Sequence, residues 1–243
     1  MERSYNQTLR NVLEMFYLAQ KAIQFWSLEY RNYLGETLKD NVVSNVSYAS
    51  LKRLQTDVLL ALQSVTESHA HDAPPFTGLP FHLDEANVNE LRLTSETVLR
   101  IPTNSTGMNG KGFPFVGMNS VRLTKVRFWL PGATSSDGVL RVKLLHMGQE
   151  TIVDKDGVEH DFQHEQIPFN FQYHIASNGK FVEGELKTID GEIGRETKSD
   201  YALVGPFTTW KISVHSWDTK ANFDLSNITG AYFEFHGTGY ATA

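Results

Sequence analysis

Ile167-Pro-Phe-Asn-Phe-Gln-Tyr-His-Ile175 carries an apolar residue at every second position. Side chains alternate across a strand, so Ile167, Phe169, Phe171, Tyr173 and Ile175 share one face and Asn170, Gln172 and His174 the other. A strand buried on both faces of a parallel sheet would be apolar throughout, so this stretch belongs to an antiparallel sheet covered on one side. The reading makes it a central strand, with Asn170, Gln172 and His174 as candidate contacts for a ligand or a partner chain.

Further strand signals follow at short intervals in both directions: Leu91 to Leu93, Val98 to Ile101, Val121 to Leu130, Val139 to Leu145, Thr151 to Val153, Phe181 to Leu186, Trp210 to Val214 and Ala231 to Phe235. In Val121-Arg-Leu-Thr-Lys-Val-Arg-Phe-Trp-Leu130 the alternation runs Val121, Leu123 and restarts at Val126, Phe128, Leu130, which a bulge near Thr124 would accommodate. Short strands separated by Gly, Pro, Asn and Asp, with no helical pattern between them, predict an antiparallel β-sandwich of jelly-roll type over residues 91–243.

The N-terminal part has the other period. From Thr8 to Tyr33, Val12, Phe16, Ala19, Ile23, Trp26, Tyr30 and Tyr33 recur at threes and fours, and Leu9, Leu13, Leu18, Ala22 and Phe25 add a second apolar row. Leu34-Gly35 is the expected stop. A second helix, capped by Ser47 or Ser50, carries Leu51, Leu54, Val58, Ala61, Leu62 and Val65 on one face. Residues 1–66 thus read as a helical hairpin with more apolar surface than two helices can bury, so self-association or a larger helical assembly is expected. Residues 67–90, with His69, His71, Pro74 and Pro75, read as a linker. The fold class is α+β.

Composition narrows the function classes. A net charge of −6 with no long basic run argues against nucleic acid as a partner. Without cysteine there are no disulfides, thiolate metal sites or cysteine nucleophile. No run of eighteen apolar residues exists, and the N-terminus lacks a signal-peptide pattern. The sequons at Asn6, Asn45, Asn104 and Asn227 are ordinary for a chain rich in Asn, Ser and Thr.

Candidate chemistry is sparse. Asp154-Lys-Asp156-Gly157 starts like a calcium loop but reads better as a hairpin turn. His160 and His164 with Asp161 and Glu165, or His69 and His71 with Asp72, have ligand-type side chains without a completed coordination shell, so no metal site, cofactor site or catalytic residue is assigned. Asp190 with Glu192 and Glu183 with Glu185 read as solvated faces. Trp129 and Trp210 sit inside strand patterns and read as core, leaving Trp217 as the candidate exposed aromatic that could stack on a glycan.

The order of these features resembles a known family. Phe16-Tyr17-Leu18-Ala19, Trp26-Ser27-Leu28-Glu29-Tyr30, the stretch from Leu51 to Leu60, and Leu91-Arg-Leu-Thr-Ser95 are similar to the C-terminal end of the A component of bacterial Tc (toxin complex) insecticidal toxins. So are Val121 to Pro131, Gly205-Pro206-Phe207 ahead of Trp210, and Leu225-Ser226-Asn227-Ile228 ahead of a final apolar strand. The resemblance implies a non-enzymatic module of a homo-oligomeric, secreted or released toxin component: the last helices of the channel region, then a β domain that docks the Tc B component. No catalytic residue and no membrane insertion by this stretch are implied. The alternative reading is a carbohydrate-binding β-sandwich with a helical appendage.

Overall fold

The computed structural model describes residues 2–28, 32, 34–35, 46–68, 73–104, 113–175, 191, 203–215 and 222–241. The chain divides into two units, Met1–Asp72 and Ala73–Ala243. Among the described residues, helices make up the first and antiparallel strands most of the second, so the α+β class holds.

In the first unit, α1 spans Glu2–Ser27 and α2 spans Tyr48–Ser68. The Ser47 hydroxyl accepts the Ser50 N–H at 3.1 Å, capping α2 as expected. α1 stops before the expected Leu34-Gly35: Leu28 adopts φ 57 and donates its N–H to the Gln24 carbonyl at 2.9 Å, closing the last turn. Ile23, Leu54, Val58 and Ala61 are the buried contact between the helices, with Phe16, Ala19, Leu34 and Val65 packed on it. No described helix is long and apolar enough to cross a membrane.

The second unit begins inside the expected linker. β1 spans Pro75–His82 and α3 spans Glu85–Thr94. The expected strand at Leu91 to Leu93 is therefore the last turn of α3. Asp84 caps that helix, its carboxylate accepting the Asn87 N–H at 2.8 Å, and Ser95, at φ 61, ends it. The short helix escapes a periodicity reading because only Val88 and Leu91 of its residues are buried.

The remaining strands are β2 (Glu96–Arg100), β3 (Met118–Trp129), β4 (Thr134–Ser135), β5 (Val139–Val153), β6 (Glu159–Gln163), β7 (Ile167–His174), β8 (Thr208–Val214), β9 (Phe223–Asp224) and β10 (Tyr232–Ala241). One sheet runs β1-β10-β3 and the other β2-β8-β5, while β6 and β7 follow one another along the remaining edge of β5. Strands β1, β2, β3 and β5 alternate between these two sheets, as in a jelly roll, and β4 pairs with β9 in a separate two-stranded ribbon. The Val126 N–H donates to the Gly191 carbonyl at 2.9 Å, placing residue 191 against β3 on the side away from β10.

The expected strands Val139 to Leu145 and Thr151 to Val153 are one 15-residue strand, β5, and it is β5 that lies at the centre. Among the described residues β7 pairs with β5 alone. Alternation reports one covered face, which edge and central strands share. The expected bulge is present: Gly237 pairs with Leu123 and His236 with Lys125, leaving Thr124 as the extra residue. The expected strand from Phe181 to Leu186 lies outside the described residues.

The sheets meet through aromatic side chains. Trp210 packs on Phe233 with ring centroids 5.5 Å apart, and Trp129 meets Phe171 edge-on at 5.1 Å. Phe169, Phe171, Tyr173 and Ile175 all point into this core. The Tyr173 hydroxyl accepts the Leu130 N–H at 3.0 Å, joining β7 to the end of β3.

Candidate functional site

The polar feature that stands out is a cluster inside the sandwich. His146 and Glu150 lie on β5, and on a regular strand they would be about 13 Å apart along the chain at ~3.3 Å per residue. Here His146 Nε2 and Glu150 Oε2 are 3.8 Å apart and both side chains are fully buried. The cause is Gly148. At φ 85 it bends β5, and the pairing with β8 shifts between His146 and Glu150. Its N–H donates to His146 Nδ1 at 3.2 Å and its carbonyl accepts the His164 N–H at 2.9 Å. A Cβ at this position would stand 2.2 Å from the His164 carbonyl oxygen, so glycine is required.

The same cluster holds residues 203–207, which cross between the sheets. From β3, the buried Arg122 donates to the Leu203 carbonyl at 3.1 Å and the Leu123 N–H to the Val204 carbonyl at 2.8 Å. From β5, Glu150 Oε2 accepts the Gly205 N–H at 2.5 Å, and the Thr151 N–H donates to the Phe207 carbonyl at 2.9 Å. His146 Nε2 lies 3.2 Å from the Gly205 carbonyl, and Trp210 Nε1 donates to the Pro206 carbonyl at 3.0 Å. Groups from both sheets thus clamp one segment, which identifies the cluster as an inter-sheet joint.

Hydrogen bonding assigns the tautomer of His146. Nδ1 accepts the Gly148 N–H, so the ring proton is on Nε2, directed at the Gly205 carbonyl. Burial pushes this histidine down to about 4, against the opposing pull of Glu150. Burial likewise lowers the Arg122 guanidinium to about 10, with Glu150 again opposing. At neutral pH His146 is uncharged and Arg122 is a buried cation in electrostatic interaction with Glu150.

His164 sits where β6 gives way to β7. Its Nδ1 lies 2.6 Å from the Glu165 carbonyl oxygen and its Nε2 3.3 Å from Glu150 Oε1. Neither atom has a hydrogen-bond partner, so this contact is electrostatic. Burial disfavours the charged ring, but the Glu150 carboxylate and the Glu165 carbonyl outweigh it, and the His164 pKa is raised.

His146, Glu150 and His164 place ligand-type atoms within 4.8 Å of one another. Divalent-ion binding by all three would need a lone pair on His146 Nε2, moving its proton to Nδ1 against the Gly148 N–H. The buried Arg122 cation, in electrostatic interaction with Glu150, adds a like charge against any such ion. The donor set therefore fits protons better than a metal.

The residues singled out in the sequence fall elsewhere. Asn170, Gln172 and His174 form a half-buried row on the outer face of β7, opposite Lys143, Arg141 and Val139 of β5. Trp217, like His69, His71, Asp72, Glu183, Glu185, Asp190 and Glu192, lies outside the described residues. Trp129 and Trp210 are core residues. His160 pairs with Asp154 at 2.7 Å and Asp161 accepts from Thr151 Oγ1 at 2.6 Å, so neither joins His164 in a ligand set. Asp154 accepts the Asp156 and Val158 N–H groups, both at 2.9 Å, and Gly157 has φ 78: this is a hairpin turn. No family model and no curated protein matches the chain.

Proposed function

We propose that this chain is a non-enzymatic oligomerisation and docking module, the part its resemblance to the C-terminal region of a Tc-toxin A component implies. The observation that supports this reading is the uncovered apolar surface of the first unit. Met15 is 69% exposed, Leu18 61%, Leu59 57% and Leu60 60%. These are large side chains on helices whose shared buried core, among the described residues, is Ile23, Leu54, Val58 and Ala61. A helical pair with so small a core gains little from packing on itself, and further helices of the same kind supply the missing contact. The second unit, with a continuous aromatic core, presents the rigid surface on which a Tc B-like partner docks.

Light scattering on the purified chain, alone and mixed with a Tc B-like protein, tests the proposal. The expected result is a defined oligomer that adds mass with the partner. A strict monomer that binds no such partner would sink it.

A further inference from the structure

We infer that His164 and Glu150 form a proton-operated latch on residues 203–207: a protonated His164 pins the carboxylate that holds the Gly205 amide, and loss of that proton loosens the segment from the two sheets. The argument starts from the hydrogen bond at Nδ1. A carbonyl oxygen only accepts, so His164 Nδ1, 2.6 Å from the Glu165 carbonyl, carries a proton. In the neutral ring Nε2 then bears a lone pair, and it faces Glu150 Oε1 at 3.3 Å. Oε1 is itself an acceptor without a hydrogen-bond partner, on a side chain with 0% exposure. Two acceptors facing each other away from water are unfavourable, whereas an imidazolium facing a carboxylate is an ion pair.

The carboxylate also carries the load of the joint. Its other oxygen accepts the Gly205 N–H at 2.5 Å, and the bend that positions it is tied to His164 through the Gly148 carbonyl. A shift of Glu150 away from an unprotonated ring therefore reaches Gly205 directly.

Among the described residues, the charged and titratable groups around the pair are His146 on β5 and Arg122 on β3. His146, at about 4, stays neutral, and Arg122, at about 10, stays cationic, across the range in which an ordinary histidine titrates. His164 is thus the basic group of the cluster that changes charge there. Because its folded pKa is raised, its stabilising effect is complete below the unfolded value of 6.5 and is lost as pH rises through the folded value.

Amide hydrogen exchange on the full chain at about pH 6 and about pH 9, corrected for the intrinsic rate, tests this, with ring nitrogen NMR of His164 in the same samples. The expected result is a fall in protection at Gly205 and His164 of roughly fivefold or more toward the higher pH. In His164→Gln, whose side-chain amide donates to Glu150 at either pH, protection should be flat. Glu150→Gln retains an acceptor for Gly205 and should be flat as well, which covers failure of the first variant to fold. An equal pH response in both variants and the unmodified chain overturns the latch. So does a His164 Nε2 that carries no proton at the lower pH. Loss of protection on adding a chelator, restored by zinc ions, would overturn it by showing that a metal closes the joint.

Discussion

The rings of His146 and His164 lie nearly parallel, with centroids 5.0 Å apart, yet their proton affinities are displaced in opposite directions. Both face Glu150. The difference is burial and hydrogen bonding: His146 has no exposed surface and both its ring nitrogens are engaged by backbone, whereas His164 keeps a partly exposed ring whose Nε2 lies 3.3 Å from the carboxylate. One histidine is held neutral as a structural strut, and its neighbour is left to titrate.

Acid should destabilise the sandwich through His146. Its folded pKa, about 4, is below the unfolded 6.5, so as pH falls across that window the unfolded chain takes up a proton that the folded chain does not. At ~1.4 kcal/mol per pH unit the loss is on the order of 3 kcal/mol by the bottom of the window. Urea unfolding from about pH 7 to 4 should show a steeper loss in the unmodified chain than in His146→Gln. Identical slopes would mean that His146 does not remain neutral in the folded state.

Gly148→Ala should be among the costliest small substitutions. The φ of 85 alone disfavours an L-residue by about 1–2 kcal/mol, and the added Cβ would meet the His164 carbonyl oxygen at 2.2 Å. A drop in denaturation midpoint, with increased exchange at the His164 amide, is the expected outcome. Gly157→Ala is the control: it has φ 78 but nothing within 4 Å of the new carbon, so it should cost less.

On the first sheet, Glu234 collects three donors: Arg127 Nη1 at 3.1 Å, Trp129 Nε1 at 2.8 Å and His236 Nε2 at 2.7 Å. Glu234→Ala should cost about 1–3 kcal/mol, because partly buried donors lose a charged acceptor. Glu234→Gln retains an acceptor oxygen and should lose less. Equal losses would show that the charge itself carries the network.

Leu18→Glu combined with Leu60→Glu should abolish self-association while leaving the β-sandwich folded, since both side chains are exposed and belong to the first unit. Sedimentation velocity reads the assembly and near-ultraviolet circular dichroism reads the aromatic core. An unchanged sedimentation coefficient, set against an oligomeric parent, would place the interface elsewhere on the molecule.

The legible parts of this fold are those where one residue pattern reports one local geometry. Alternation in Ile167 to Ile175 identified the inward row Phe169, Phe171, Tyr173 and Ile175, and the restart after Leu123 located the Thr124 bulge. Where the pattern is short or mixed it failed. β1 contains two prolines and a glycine and has Phe81 as its one fully buried residue, so it lacks a repeating signal. In α3 the buried positions Val88 and Leu91 are too few to establish a helical period against the apparent alternation of Leu91 to Leu93.

The sequence by itself determined the class of the molecule: a helical pair with excess apolar surface, followed by strands that must bury one face in an antiparallel sandwich. Periodicity is a local property, and it survives whatever the rest of the chain does. Only the tertiary structure decided which polar residues meet. Arg122, His146, Glu150, His164 and Gly205 come from separate stretches of chain, and they converge because Gly148 bends β5 and the strand order brings β3, β5 and residues 203–207 together. Spacing along an extended strand would keep His146 and Glu150 apart, so their joint with His164 belongs to the fold and not to any motif.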